Sequence, residues 1–377
     1  MDNQASTPLD KRVLEAMMPY MLTECGNPAS KHFAGRNANG AIERAREIIA
    51  ELVSANPCEI LFTSGATEST NMAIKGMAYG LKDRGRHIIT SRIEHKAVLE
   101  CCRFLQTEGF DVSYVEVDPN GLILQESLEK VISKNTILMA IGHANNELGT
   151  IQDIEMISKI ARNNNIHFFS DCAQSFGKIT VDSRLFDSFA FSGHKIYGPM
   201  GSGGLFIGRK WQSDFIKTQF GGGQEFGLRA GTQNVAGIVG MGKACKIAGE
   251  EMSEEMKRTK YLRDKLWKII KLGLIDADLN GDFNNRLCGN INFSIPDVPS
   301  ELIINKLSDQ FAFSSGSACM SAGNEPSRVI MALGKSRNAA DSAFRISIGR
   351  FNTQEDIEIF ARVFIKTINE IKRITHF

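Results

Sequence analysis

Two residues of this 377-residue chain stand where they could do chemistry together. Lys195, in FSGHKIYGP (residues 191–199), follows an apolar, strand-like run and precedes a Gly-Pro turn. Asp171 ends the run IHFFSD and is followed by Cys172, Ala173 and Gln174. A lone loop lysine is most often a solvated one, but a carboxylate at the tip of a buried strand is costly unless it meets a cation. A protonated pyridine nitrogen is such a cation. An amine on a neighbouring tip could form a Schiff base, so the pair suits pyridoxal 5'-phosphate.

Three further stretches bear on that reading. TSGATEST (63–70) runs from a strand into a helix through small residues. There Gly65, Ala66 and Thr67 would offer backbone N–H groups and a hydroxyl to a phosphate at a helix N-terminus. It lacks the Gly-Lys-Ser/Thr of a nucleotide loop, and alone it is a weak signal. His95 in SRIEHKAV also follows a strand. Alone it reads as a hydrogen-bonded loop residue, and in this company as a ring-stacking and proton-carrying group. Cys319 sits in SSGSACMSAG (314–323) with almost nothing large beside it. A structural cysteine wants apolar neighbours, whereas a reactive one wants exposure and room.

These residues need elements to hold them. EILFTSG, HIITSR, DVSYVEV, TILMAIGH, IHFFSD, DSFAFSGH and GGLFIG read as seven strands. Amphipathic stretches such as AIERAREIIAELV and IEMISKIARN separate several of them. Apolar strands alternating with helices predict an α/β domain with a mainly parallel, mixed seven-stranded sheet covered on both faces, its ligand site beyond the strand ends. After about residue 245 come a long charged helix, NINFSI, a helix at ELIINKLSDQ, the cysteine stretch, FRISIG and a last helix, an order that suits a smaller α+β domain. The expected division is 13–245 for the large domain, with 1–12 and 246–377 forming the small one.

Composition narrows the function. The formal net charge is +1, with 44 Lys and Arg against 43 Asp and Glu. Nothing there predicts direct binding of nucleic acid or an anionic membrane. The eight cysteines show no C-x-x-C spacing, and a chain of this size needs no disulfide framework. MDNQASTPLD does not read as a signal peptide, no apolar run of about 18 residues suggests a membrane span, and a reducing cytoplasm is the expected compartment.

SGATEST, EHKAVL, HANNELG, DCAQS, FSGHKIYGP, GGGQE, RAGTQN, SSGSAC and RISIGRF fall in an order that resembles the cysteine desulfurases of the NifS/IscS type, over nearly the whole chain. Those are class V aminotransferase-like enzymes of fold type I that depend on pyridoxal phosphate. The resemblance implies that Lys195 is the Schiff-base lysine and Asp171 the partner of the ring nitrogen. It implies Gln174 and Asn146 around the ring hydroxyl, His95 stacked on the ring, and Ala66, Thr67, Ser192 and His194 on the phosphate. Thr232 resembles a threonine that reaches the phosphate from the other subunit, which implies a homodimer. Arg345 resembles the arginine that binds the substrate carboxylate bidentately. Asn146 and Asn27 would border the substrate. Cys319 resembles the thiol that takes sulfur from L-cysteine as a persulfide, leaves alanine, and passes the sulfur to an acceptor protein from a long, small-residue loop.

The chain departs from the pattern at four places. It starts at MDNQASTP, a few residues short of the usual strand. Cys172 stands where a smaller residue or threonine is usual and reads as packing. Phe226 stands where an arginine is usual, near the expected dimer contact. The chain ends at INEIKRITHF, without the longer tail that helps dock an iron–sulfur scaffold, so a dedicated acceptor is expected: a small iron–sulfur system, tRNA thiolation or DNA phosphorothioation. Selenocysteine lyase or another class V reaction is the competing activity, although a plain aminotransferase needs no such thiol. A non-catalytic scaffold would have no use for Lys195, Asp171, His95 and Cys319 together.

Overall fold

The computed structural model describes residues 1–316 and 326–375. Its first helices, α1 (Lys11–Leu22) and α2 (Phe33–Leu52), lead into β1 (Ile60–Thr63) and α3 (Ala66–Leu81). Then follow β2 (His87–Ser91), α4 (Lys96–Thr107), β3 (Asp111–Val115), α5 (Gln125–Val131), β4 (Thr136–Ala140) and α6 (Ile154–Asn163). β5 (His167–Asp171), β6 (Ser188–Ser192) and β7 (Gly203–Ile207) complete one sheet, of order β1-β7-β6-β5-β4-β2-β3. All seven expected strands are present. The pairings are parallel except that β7, inserted between β1 and β6, runs antiparallel to both.

The strands are apolar throughout because both faces are covered. Successive side chains point to opposite faces, so each strand feeds two cores. Phe168, Phe189, Phe191 and Met139 pack with α1, α2 and α6. Phe169, Ala190, Leu138 and Leu205 pack with α3 and α4. Full burial of one phenylalanine such as Phe189 contributes about 2 kcal/mol.

Helix α7 (Val235–Gly273) is 39 residues long, about 58 Å at the α-helical rise. It runs unbroken through residue 245. Ile238 to Ala248 pack among the elements of the large sheet, whereas Leu262, Leu266 and Ile270 pack on the small one. The rest of the chain supplies β8 (Asp278–Leu279), β9 (Asn290–Ser294), α8 (Ser300–Leu307), β10 (Ser314–Ser315), α9 (Arg328–Ala332), α10 (Arg337–Asp341), β11 (Ala343–Ser347) and α11 (Gln354–Thr375). The small sheet, β10-β11-β9-β8, is antiparallel throughout. A cluster of Phe293, Phe313, Phe344, Phe360 and Phe364, packed mostly edge to face, fills its core. Among the described residues, no helix is long and apolar enough to cross a membrane.

The N-terminal ten residues strap the two sheets together. Asn3 N–H donates to the Ser347 carbonyl on β11. Thr7 N–H donates to His194 and Asp10 N–H to Tyr197, both in the turn after β6.

Candidate active site

Parallel strands bring their C-terminal ends to one edge. The segments after β1, β2, β4, β5 and β6 meet there around a cavity of about 600 Å³. Its wall includes Ala66, Thr67, His95, Asn146, Asp171, Gln174, Ser192, His194 and Lys195, nine residues from five separate motifs.

Lys195 lies in the tight turn Gly193–Lys195 that ends β6. Its Nζ donates to the carbonyls of Gln4 and Ala5, the latter at 2.8 Å, so the N-terminal strap holds the amine. Asp171 is buried at the tip of β5, and its Oδ1 accepts from Ala173 N–H at 2.9 Å. Gln174 Nε2 donates to the Gln4 carbonyl at 3.0 Å, which places two cavity residues on one backbone acceptor.

His95 caps α4, its Nδ1 accepting from Ala97 N–H at 3.1 Å. An accepting Nδ1 puts the neutral ring's proton on Nε2. The N-terminus of α3 is different. Gly65 stands at its N-cap with no side chain to satisfy the first N–H groups, and these join the cavity wall with Ser192 beneath. A Cβ on Gly65 would lie 3.7 Å from Ser192 Oγ. Glu68, in the first turn, is drawn off by Arg229 at 2.8 Å and by Ser64 N–H at 2.7 Å.

Burial, with Lys195 and Lys178 adding to it, lowers the His194 pKa to about 4, so its ring is neutral at neutral pH. Glu94 is another wall residue, and sequence reasoning did not single it out. Its Oε1 accepts from Ser91 Oγ at 2.6 Å and its Oε2 from Gly142 N–H at 2.8 Å. Burial, opposed by these two hydrogen bonds and aided by the neighbouring Asp171, raises this carboxyl to about 7. Its place beside His95 in EHKAV was the available signal. The Gln4 and Ala5 carbonyls had none, since a backbone acceptor leaves no trace in residue type.

Arg345 does not line the cavity. It lies buried on β11, donating to the Asn146 carbonyl at 2.8 Å and to Asp2 at 2.9 Å, with its Nε unpartnered. Asn27 is exposed in the segment after α1, its side chain accepting from Ala29 N–H at 3.0 Å. Thr232 is exposed and outside the wall. Cys319 lies outside the described residues. Cys172 is fully buried in the core, where burial pushes its thiol far up. Phe226 is 56% exposed, has a φ of +58°, and lies with its ring centroid 5.0 Å from the Arg46 guanidinium.

The donor set fits pyridoxal phosphate. It combines open N–H groups and hydroxyls for a phosphate, a buried carboxylate for a ring nitrogen, and an amine for a carbonyl carbon. A mixed seven-stranded α/β sheet with this cavity at its strand ends defines a pyridoxal-phosphate enzyme of fold type I.

Residues 1–360 match the aminotransferase class-V family. The chain is 45% identical over 380 residues to the cysteine desulfurase IscS of Shewanella sediminis, covering 100% of this chain and 94% of that protein. A solved NifS-like protein superposes with a TM-score of 0.91 at 39% identity, covering 98% of each chain. The solved structure of SspA in complex with cysteine superposes with a TM-score of 0.82 at 39% identity, covering 93% of this chain and 99% of that one. The chain belongs to the class-V aminotransferases, on the cysteine desulfurase branch.

Proposed function

We propose that this cysteine desulfurase uses Cys319 to take the sulfur of L-cysteine, with the cavity residues in the roles their positions suit. The observation that carries this reading is the meeting of Lys195, Asp171, His95 and the uncapped start of α3 around one cavity. Ala66 and Thr67 N–H groups, Ser192 and His194 would hold the cofactor's phosphate, Asp171 its ring nitrogen, and Gln174 and Asn146 the ring hydroxyl side. When bound, pyridoxal phosphate supplies an electron-withdrawing ring that makes the substrate sulfur open to attack.

Lys195 presents its amine at Nζ. Arg345, the residue assigned to the substrate carboxylate, lies behind Asn146 and would have to exchange its Asp2 partner for that carboxylate. His95 carries a proton at Nε2. Cys319 Sγ, as thiolate, bonds to the substrate sulfur, the carbon–sulfur bond breaks, and the carbon gains a proton to give alanine. The sulfur remains on Cys319 as a persulfide until an acceptor protein takes it. We further infer a homodimer in which Thr232 reaches the partner's phosphate site and Asn27 borders a substrate pocket. The exposure of both residues in the single chain supports this. The presence of two separate sheets supports a division into 13–245 and 1–12 with 246–377. A reducing cytoplasm suits the seven described cysteines, all of them unpaired.

The test is alanine and sulfide production from L-cysteine by the parent and by Cys319→Ala, side by side. Activity in the parent with loss in the variant is the expected result. Equal sulfide release by both would overturn the role of Cys319.

A further inference from the structure

The N-terminal strap meets both the amine and the guanidinium that the proposed reaction uses. Its Gln4 and Ala5 carbonyls hold Lys195 Nζ, and its Asp2 carboxylate lies on Arg345. The Arg345 side chain is 2% exposed and that of Asp2 21%, so the pair is largely shielded from water. Asp2 Oδ1 accepts from Arg345 Nη2 at 2.9 Å, and Asp2 Oδ2 accepts from Ser314 Oγ at 2.7 Å. Arg345 Nη2 also donates to Ser314 Oγ at 3.0 Å, which closes a ring of three side chains. Both oxygens of one carboxylate are therefore held at the guanidinium.

The guanidinium is not fully used. Its Nη1 donates to the carbonyl of Asn146, a cavity-wall residue. Its Nε is buried and, among the described residues, has no partner. Leaving a buried N–H unmatched costs free energy, and more on a charged group. A guanidinium offers a carboxylate two forks, Nε with Nη2 and Nη1 with Nη2, and both share Nη2. Nη2 already has two acceptors, Asp2 and Ser314. A second carboxylate can bind bidentately only by displacing one of them. Displacing Ser314 would crowd two like charges onto one cation, whereas displacing Asp2 would not.

We propose that Asp2 is an internal competitor at Arg345, a carboxylate built into the chain that the substrate carboxylate must displace. The proposal deepens the desulfurase reading and rests on Arg345 as the carboxylate residue. Asp2 makes one hydrogen bond to the guanidinium. A substrate carboxylate spanning Nε and Nη2 makes two and satisfies the orphaned Nε, so it wins the exchange. Only the Asp2 side chain has to turn, toward its exposed side. The backbone around it is pinned to β11: Ser347 N–H donates to the Met1 carbonyl, and Asn3 N–H to the Ser347 carbonyl. A ligand without a carboxylate has nothing to exchange and leaves the Asp2–Arg345 pair closed. Asp2 thereby sets the affinity of the site for amino acids.

The test is L-alanine binding to the holoenzyme by calorimetry, with KM and kcat for L-cysteine, for the parent, Asp2→Asn and Asp2→Glu. L-Alanine carries the carboxylate without the sulfur. Asparagine keeps the shape of Asp2 and loses its charge. Asp2→Asn should bind L-alanine about tenfold more tightly, because fewer molecules hold Arg345 in the closed pair. KM for L-cysteine should fall in step, and by more than kcat changes, since Asp2 is displaced in the substrate complex and the transition state alike. Asp2→Glu keeps the carboxylate and should restore the weaker binding of the parent. Unchanged or weaker L-alanine binding by Asp2→Asn would overturn the proposal and make Asp2 a support that holds Arg345 in place. An equal gain in both variants would overturn it too, since charge would then play no part. A merely structural Asp2 would lower the melting temperature of Asp2→Asn without tightening binding. Should Asp2→Asn fail to fold, Asp2→Ser carries the same expectation. L-Alanine binding by Arg345→Lys equal to the parent's would overturn the carboxylate role of Arg345 itself.

Discussion

Glu94 shows how a single side chain couples the site to the stability of the whole. The carboxyl sits in the cavity wall with its folded pKa raised to about 7 from an ordinary 4.5, first by burial. Below pH 4.5 the folded and unfolded states both hold this proton. Between 4.5 and 7 the unfolded chain releases it and the folded chain keeps it, so stability falls as pH rises through that window. The loss is at most about 3 kcal/mol, at 1.36 kcal/mol per unit. Glu147, also raised to about 7 by burial, adds to the same slope. Glu94→Gln should therefore flatten the fall in melting temperature of the apo protein between pH 5 and 7. A slope equal to the parent's would show that Glu94 ionises in the folded state as it does in water. At this scale the sequence was informative where residue type carries the chemistry, as with Lys195 and Asp171. It was silent where a backbone carbonyl does the holding, as with Gln4 and Ala5 at the lysine amine.

The elements place the site through close backbone approach. β7 runs antiparallel beside β1, and at Gly203 it passes under the turn that leads into α3. A Cβ on Gly203 would lie 2.4 Å from Gly65 Cα, which is backbone and cannot swing aside. Gly203→Ala should push the Gly65–Thr67 turn off its position and weaken pyridoxal phosphate binding tenfold or more, or about 1.4 kcal/mol. Equilibrium binding to the apo protein measures it, and an affinity equal to the parent's would mean that the turn can shift without cost. GGLFIG read as a strand because it is apolar and short. Its direction was not legible, since a buried antiparallel strand inside a mostly parallel sheet has the same apolar composition as its neighbours. The change of character near residue 245 is one of composition. Yet α7 carries one helix across it, because helical periodicity continues while the packing partner changes.

At the scale of the molecule, the single chain leaves Thr232 and Asn27 exposed and away from the cavity. Two copies would explain both. Size-exclusion chromatography with light scattering should give twice the mass of one chain. Thr232→Ala alone should weaken cofactor binding. Mixed dimers of Thr232→Ala with Lys195→Ala should regain one intact site, because the Lys195 of one copy would meet the Thr232 of the other. No recovery of activity in the mixture would place Thr232 outside the site.

The sequence by itself determined the strands, the helices on both faces and the chemical types in the cavity. Apolar alternation and local turn residues are properties of contiguous chain, and nine family motifs carried the rest. Only the tertiary structure decided the strand order, the reversed β7 and the strap that holds Lys195. Each of these joins residues far apart in the chain: Gln4 meets Lys195 across 191 positions. No local pattern records such a meeting, because it is set by how the two sheets pack.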